Sequence, residues 1–259
     1  IVPLEEKMTV SIEESLGMIL AESLIATDHS PNFIRSTVDG YAVIASDTFG
    51  ASDTMPAYIK IIGSVEMGEE TNICISSGQT VYVPTGGMVP AGADAMCMIE
   101  YTENLNGLLN IYKQVAPIEN CIQIGEDVAK GEVILEKGHK IRSQDIAFLA
   151  SLGITELSVK RRPIVGYLST GDEVVSYKTS QLPIGKIRDS NVVSVQTACQ
   201  QMNCSFVYGG IVQDCEQELS MACQNLLEQV DILVISGGSS VGERDYSFSV
   251  LDNLGEPGI

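Results

Sequence analysis

The chain has 259 residues, 44% of them hydrophobic, with 34 acids against 15 Lys and Arg for a formal charge of −19. No run of 18 or more apolar residues is present to span a membrane, and so acidic a chain lacks the basic face that nucleic acid requires. Seven cysteines without a Cys-x-x-Cys pair, and two histidines (His29 and His139) far from any cysteine in sequence, argue against a zinc cluster or disulfide framework and for reduced thiols in a cytoplasm.

The first residues, Ile1 to Lys7, carry neither the basic nor the apolar region of a signal peptide, so none is expected. Ser11-Ile12-Glu13-Glu14 reads as a capping box, and Ile12, Leu16, Ile19, Leu20 and Leu24 at helical spacing predict an amphipathic helix of about four turns. From Asp28 to Val128 the pattern changes to short β-rich runs bounded by Gly, Pro and Asp: 57–62, 80–83 and 95–99. Asn106-Gly107 between 100–102 and 109–112 is a two-residue hairpin signal. This region reads as an inserted all-β, barrel-like module. Ser143 to Leu152 predicts a helix with Ile146, Leu149 and Ala150 inward and Gly153 as its stop, between extended pieces at 132–135 and 156–159.

From Arg161 the pattern alternates. Strands are expected at 163–168, 205–208 and 231–235, with a helix from Asn191 carrying Val192, Val195, Cys199 and Met202 on one face. A second helix, opened by Asp214, carries Leu219, Ala222, Cys223, Leu226 and Leu227. Such alternation implies a parallel sheet, whose ligands sit beyond the carboxyl ends of the strands. The fold class is therefore α/β plus β, an elongated multi-domain chain. Its divisions are 1–27 with 129–160 (a helical linker domain), 28–128 (the β module) and 161–259 (the parallel α/β domain).

All three strand ends carry Gly, hydroxyl or acidic residues: Ser169-Thr170-Gly171-Asp172-Glu173, Gly209 to Asp214, and Ser236-Gly237-Gly238. The last opens a turn through Ser239, Ser240, Val241 and Gly242 to Glu243-Arg244-Asp245-Tyr246, in which backbone N–H groups can approach a phosphate. Glu173, Asp214, Glu243 and Asp245 together suit Mg2+, a hard cation that takes carboxylate, phosphate and water oxygens. Asp214 and Asp245 equally suit the caps of the helices that follow. Lys186 and Arg188 would bring positive charge to a phosphate, or are surface charge. Asp39-Gly40 alone reads as a turn.

Taken in order, several segments resemble one family. They are Asp39-Gly40-Tyr41-Ala42-Val43, Thr85-Gly86-Gly87 with Pro90 to Asp94, Gly125-Glu126-Asp127-Val128, Leu149 to Ile154, Ser169 to Glu173, Arg188-Asp189-Ser190-Asn191, and Ser236 through Tyr246. The family is the MoeA group of molybdenum-cofactor enzymes, related to the gephyrin E domain. The resemblance implies a molybdopterin molybdenumtransferase, in which molybdate and adenylyl-molybdopterin yield molybdenum cofactor and AMP in the presence of Mg2+. It implies active-site roles for Asp39, Thr85, Asp127, Glu173, Asp214 and Asp245. It implies substrate contacts from Thr170, Gly171, Asp172, Arg188, Asp189, Ser190, Asn191, Ser236, Gly237, Gly238, Ser239, Ser240 and Gly242. It further implies a homodimer with a split site, Asp39 and Thr85 facing the parallel-sheet domain of the other subunit, and a molybdopterin adenylyltransferase as a partner. The family's Pro-Gly-Lys-Pro segment and C-terminal β domain find no match, so a truncated chain with weak or no transferase activity is expected. Two other readings fit the same segments: a molybdopterin adenylyltransferase, and a non-catalytic gephyrin-like scaffold.

Overall fold

In the computed structural model, residues 3–237 and 246–255 are described, and the chain divides into two compact units: 23–136, and 1–22 with 137–259. Among the described residues, no helix is long and apolar enough to cross a membrane.

The segment expected to be the first helix is not helical. Lys7–Ser11 is a strand paired antiparallel with Glu156–Lys160, Lys7 opposite Lys160 and Ser11 opposite Glu156. Tight turns follow, with the Ser15 amide donating to Ile12 O at 3.3 Å and the Met18 amide to Ser15 O at 2.9 Å. Gly17 then adopts φ +74°, which no helix interior accommodates. Beyond it the Leu20 and Ala21 amides donate to His139 O and Ser158 O, each at 2.9 Å. Distant carbonyls thus take the donors a helix would have used, and Val10, Ile12, Met18, Leu20 and Ala21 are buried while Leu16 stays 54% exposed. Leu24 belongs to a short strand, Leu24–Ile25, paired with Val133–Leu135.

Helix α1 spans Ser143–Ser151. It ends as expected: Gly153 has φ +73°, its amide donates to Ala150 O and the Ile154 amide to Leu149 O, both at 3.0 Å, a Schellman closure. Its inward face differs from expectation, because Ala150 is exposed and the buried residues are Asp145 and Leu149. Asp145 is tolerated inside because its carboxylate is saturated with donors. It accepts the Arg142 amide at 2.9 Å and the Arg142 guanidinium at 2.8 and 3.0 Å, and lies 2.7 Å from His139 Nε2. These contacts, Arg142 foremost, hold Asp145 far below the usual carboxylate range.

Unit 23–136 is built on a six-stranded sheet. Its strands are β1 (Gly40–Val43), β2 (Ala57–Ser64), β3 (Gln79–Val83), β4 (Ala95–Met98), β5 (Thr102–Leu105) and β6 (Leu108–Ile111). The order is β4-β1-β3-β2-β6-β5, antiparallel except for β2 with β3. The β5–β6 turn holds Asn106 at φ 51° and Gly107 at φ 93°, the left-handed pair that a tight hairpin demands. Residues 99–101, expected from sequence as the end of one strand and the start of the next, form a 3-10 turn instead. Strand alternation sends Tyr41, Val43, Ala95 and Cys97 into one core with Ile59, Leu109 and Ile111. Ala42, Val81, Val83 and Met96 enter a second core on the opposite face. Both faces are therefore buried along β1, β3 and β4, whereas β2 keeps one face exposed and β5 is mostly exposed.

The parallel domain contains β7 (Ile164–Thr170), α2 (Asn191–Gln201), β8 (Ser205–Val212), α3 (Glu216–Leu227), β9 (Ile232–Ser236) and α4 (Ser247–Leu254). These three strands pair in parallel and their order is β8-β7-β9. Leu168, Leu219, Cys223, Leu226 and Val250 form its core. Two sequence assignments shift outward: Met202 is 62% exposed and Leu227 41% exposed. Both lie at or beyond the last helical turn, where the face rotates off the sheet.

Gly40 tests the sheet packing. A Cβ there would lie 2.0 Å from Cys97 O, so Gly40→Ala is expected to destabilise the protein by at least about 2 kcal/mol, read by urea denaturation. Asp145 gives a pH signature. Its lowered native pKa means that its contribution is complete above the unfolded carboxylate range and is lost on acidification. Stability should fall below about pH 4, less steeply in Asp145→Asn, which starts less stable at pH 7.

Candidate functional site

The chain leaves central β7 for β8 on one side, and α3 carries it back to β9 on the other. That reversal opens a crevice beyond the carboxyl ends of β7 and β9, where α/β sheets take ligands. A cleft of about 330 Å³ lies there, lined by Ser169, Thr170, Glu173, Val174, Ile187, Arg188, Asp189, Ser190, Asn191, Ser236 and Gly237. Thr170, Glu173, Arg188, Asp189, Ser190, Asn191, Ser236 and Gly237, all singled out from sequence, are thus brought to one place.

Their roles separate once partners are traced. Asp189 is buried and serves the scaffold: it accepts Ser169 Oγ at 2.5 Å, Tyr208 Oη at 3.4 Å and the Val192 amide at 3.1 Å, tying β7, β8 and the start of α2 together. Burial, with Asp189 beside it, pushes the Tyr208 phenol upward. Arg188 is committed to its own loop, its guanidinium donating to Thr179 O at 2.8 and 3.0 Å and to Ser180 O at 3.1 Å. Lys186 likewise donates to the Asp172 carbonyl. Asn191 Nδ2 donates to Ser236 Oγ at 2.9 Å, bridging the α2 N-terminus to the end of β9.

Asp214 does not cap α3, whose N-cap is Cys215. It faces the β7 end instead, accepting Thr170 Oγ1 at 3.2 Å and the Asp172 amide at 3.4 Å, while Asp172 Oδ1 accepts the Asp214 amide at 3.3 Å. Glu173 folds over Gly171, where a Cβ would stand 2.8 Å from its Oε2, and its carboxylate has no hydrogen-bond partner among the described residues. Gly238, Ser239, Ser240, Gly242, Glu243 and Asp245 lie outside the described residues, and among those described no three metal-ligating side chains cluster. Mg2+ needs only one or two carboxylates when phosphate and water complete its octahedron. Glu173, unpartnered among the described residues, and Asp214, whose oxygens already accept from Thr170 and the Asp172 amide, are the two carboxylates near Thr170-Gly171 available to such an ion.

Sequence reasoning gave no role of their own to Ser169 and Tyr208. Their signal was weak: a hydroxyl at the end of an apolar strand and an aromatic within one, whose meaning depends on Asp189 arriving between them.

In unit 23–136, Asp39 Oδ1 accepts the Thr85 amide at 2.9 Å, so these two are neighbours. Asp127 pairs with Arg35 at 3.5 Å, and the adjacent Ser36 amide donates to Gly87 O at 3.0 Å. The three predicted residues of this unit therefore cluster about the turn 84–87.

An open parallel sheet with a polar cleft at its switch point defines a small-ligand-binding α/β domain, and residues 166–259 match the family description "probable molybdopterin binding domain". Residues 1–153 match the MoeA N-terminal region, domains I and II. The chain belongs to the MoeA family. It is 34% identical over 250 residues to molybdopterin molybdenumtransferase of Bacillus subtilis, covering 95% of this chain and 58% of the relative. A putative molybdopterin biosynthesis protein of Methanocaldococcus jannaschii is 37% identical over 255 residues, covering 95% and 62%. The crystal structure of a MoeA protein from Pyrococcus horikoshii superposes with a TM-score of 0.86 at 36% identity, over 98% of this chain and 63% of that one. The chain thus spans about three fifths of the length of these relatives.

Gly237 closes the cleft at φ +116°, with Thr170 O only 2.3 Å from where a Cβ would sit. Gly237→Ala is expected to cost at least about 2 kcal/mol by prising β9 from β7, whereas Ser236→Ala should cost about 1 kcal/mol or less in the same denaturation experiment.

Proposed function

We propose that the protein acts in molybdenum-cofactor biosynthesis as a molybdopterin molybdenumtransferase, inserting molybdate into adenylylated molybdopterin with release of AMP. The observation that carries this reading is the convergence of Thr170, Glu173, Ser190, Asn191 and Ser236 on one cleft at the switch point. Relatives over nearly the whole chain bear that enzyme's name.

The cleft offers mostly neutral donors: the hydroxyls of Ser190 and Ser236, the second proton of the Asn191 amide, and the first turn of α2, while the single proton of Thr170 goes to Asp214. Such groups bind a phosphate without the cost of burying a cation. Thr170, aligned by Asp214, and Asn191, aligned by Ser236, position the phosphoanhydride, and Gly237 lets backbone approach it. Glu173 and Asp214 would hold Mg2+, which when bound neutralises charge on the departing AMP phosphate. No protein nucleophile is required: the two dithiolene sulfurs would displace two oxo groups of molybdate, which leave as water, and one water would add at phosphorus to split the phosphoanhydride into AMP and the cofactor's own phosphate. The same reading makes the protein a cytoplasmic homodimer, Asp39 and Thr85 of one copy facing the cleft of the other. It also makes a molybdopterin adenylyltransferase the supplier of its substrate.

Calorimetric titration of AMP with Mg2+ should show saturable binding, weakened about tenfold or more by Thr170→Val or Asn191→Ala. Binding indifferent to both substitutions would remove the cleft from the mechanism. Molybdate-dependent AMP release from adenylyl-molybdopterin is the activity readout. Pyrophosphate release from ATP and molybdopterin would instead assign the preceding adenylylation step.

A further inference from the structure

A further cavity lies at the opposite end of the parallel sheet. It measures about 190 Å³, and its partly apolar wall includes Ile19, Lys140, Lys160, Arg161, Arg162 and Asn203. Arg161 to Pro163 lead into β7 and Asn203 stands just before β8, so the cavity sits at the amino edge of the sheet, away from the cleft beyond Thr170 and Ser236. Four of the fifteen Lys and Arg of a chain with net charge −19 converge here, and no acid lines the cavity.

The fold forces this convergence. Ile19 bridges Lys140 on one side, and on the other its carbonyl accepts the Lys160 amide at 2.8 Å, so both lysines flank one residue. Arg161 is fully committed, donating to both Asp231 oxygens at 2.6 Å and to the Glu6 carboxylate. Lys160 is partly committed, to Leu4 O at 2.9 Å and Glu5 at 3.4 Å. The Lys140 ammonium has no hydrogen-bond or ion-pair partner among the described residues, and the Arg162 guanidinium has only a 3.5 Å contact to the Glu14 carbonyl. Two cations are thus left without an opposing carboxylate beside a third. The Asn203 amide stands at the rim, donating to Leu16 O at 3.4 Å.

We propose that this cavity is a binding site for a small tetrahedral oxyanion of the sulfate, phosphate or molybdate class, held by Lys140, Arg162 and Lys160 with the Asn203 amide. The space that adjoins it, about 650 Å³ and sharing Met18, Arg161 and Arg162, is lined by Glu13 and Glu14, so a larger anion extending that way meets like charge and a small one fits best. A dianion would neutralise the two unopposed charges and accept the forked donors of Arg162. The site is independent of the transferase reading.

Sulfate and molybdate titrated separately into the chain, at constant ionic strength in chloride, should each bind saturably in the millimolar range or tighter. The Lys140→Gln/Arg162→Gln double variant should weaken that binding about tenfold or more, and Lys130→Gln, on the other unit, should not. Both substituted residues are exposed and lack a carboxylate partner among the described residues, so the double variant should keep the wild-type melting temperature. Saturating AMP should leave the bound anion in place. Molybdate binding without sulfate binding, still lost in the double variant, upholds the site for the larger anion. No saturable binding of either anion, binding unchanged in the double variant, or displacement by AMP would overturn the assignment.

Discussion

The parallel register between β7 and β9 is the constraint on which the site depends. It is set at the amino edge, where Asp231 accepts both guanidinium branches of Arg161 and the Ile164 amide at 2.8 Å. That clamp holds Asp231 below the ordinary carboxylate range, at about 2, with the Arg161 hydrogen bonds as the main cause. Pairing then runs from Val165 opposite Ile232 to Ser169 opposite Ser236. A slip of one residue would turn every side chain to the other face and take Thr170 and Ser236 out of the cleft. The charged clamp matters less as a store of stability than as the device that specifies alignment.

At the carboxyl edge the same register is completed by buried polar contacts. Asp189 gathers donors from β7, β8 and α2, and Asn191 reaches Ser236. An acidic carboxylate therefore stands in the cleft wall as a scaffold group, its oxygens occupied by Ser169, Tyr208 and the Val192 amide. Local geometry, not the charge of −19, decides what the cleft admits, since distant charges are screened over about 8 Å at physiological salt. The few cations near the cleft, Lys186 and Arg188, are spent on loop carbonyls, which leaves neutral donors to face the ligand.

Unit 23–136 solves a different problem. Its central strands are buried on both faces, so period-two alternation feeds two cores, and the turns at their ends are free to carry polar residues. Asp39 immediately precedes β1 and Thr85 lies just after β3, and because those strands pair, the two residues meet.

Much of this was legible in the chain itself. Short apolar runs between Gly and polar clusters marked β7, β8 and β9, although only central β7 is buried along its length and the outer two strands are partly covered. Asn106-Gly107 marked its hairpin, because both residues must adopt left-handed φ. The glycine and hydroxyl strand ends pointed to the cleft. What local pattern could not carry was partnership between distant segments. Residues 12–24 have helical spacing, yet carbonyls of 139, 141 and 158 claim their amides. Asp214 looks like a cap until Thr170 and Asp172 occupy it, and Arg188 looks like a phosphate ligand until Thr179 and Ser180 do. Lys140 and Arg162 are unremarkable in sequence and share a cavity only because Ile19 lies between two segments that follow the inserted unit in the chain. Periodicity and turn chemistry are properties of neighbours along the chain, so the sequence alone determined the family and the elements of the parallel domain, but not the structure of 12–24. Hydrogen-bond and charge partners are chosen across it, and only the tertiary structure decided them.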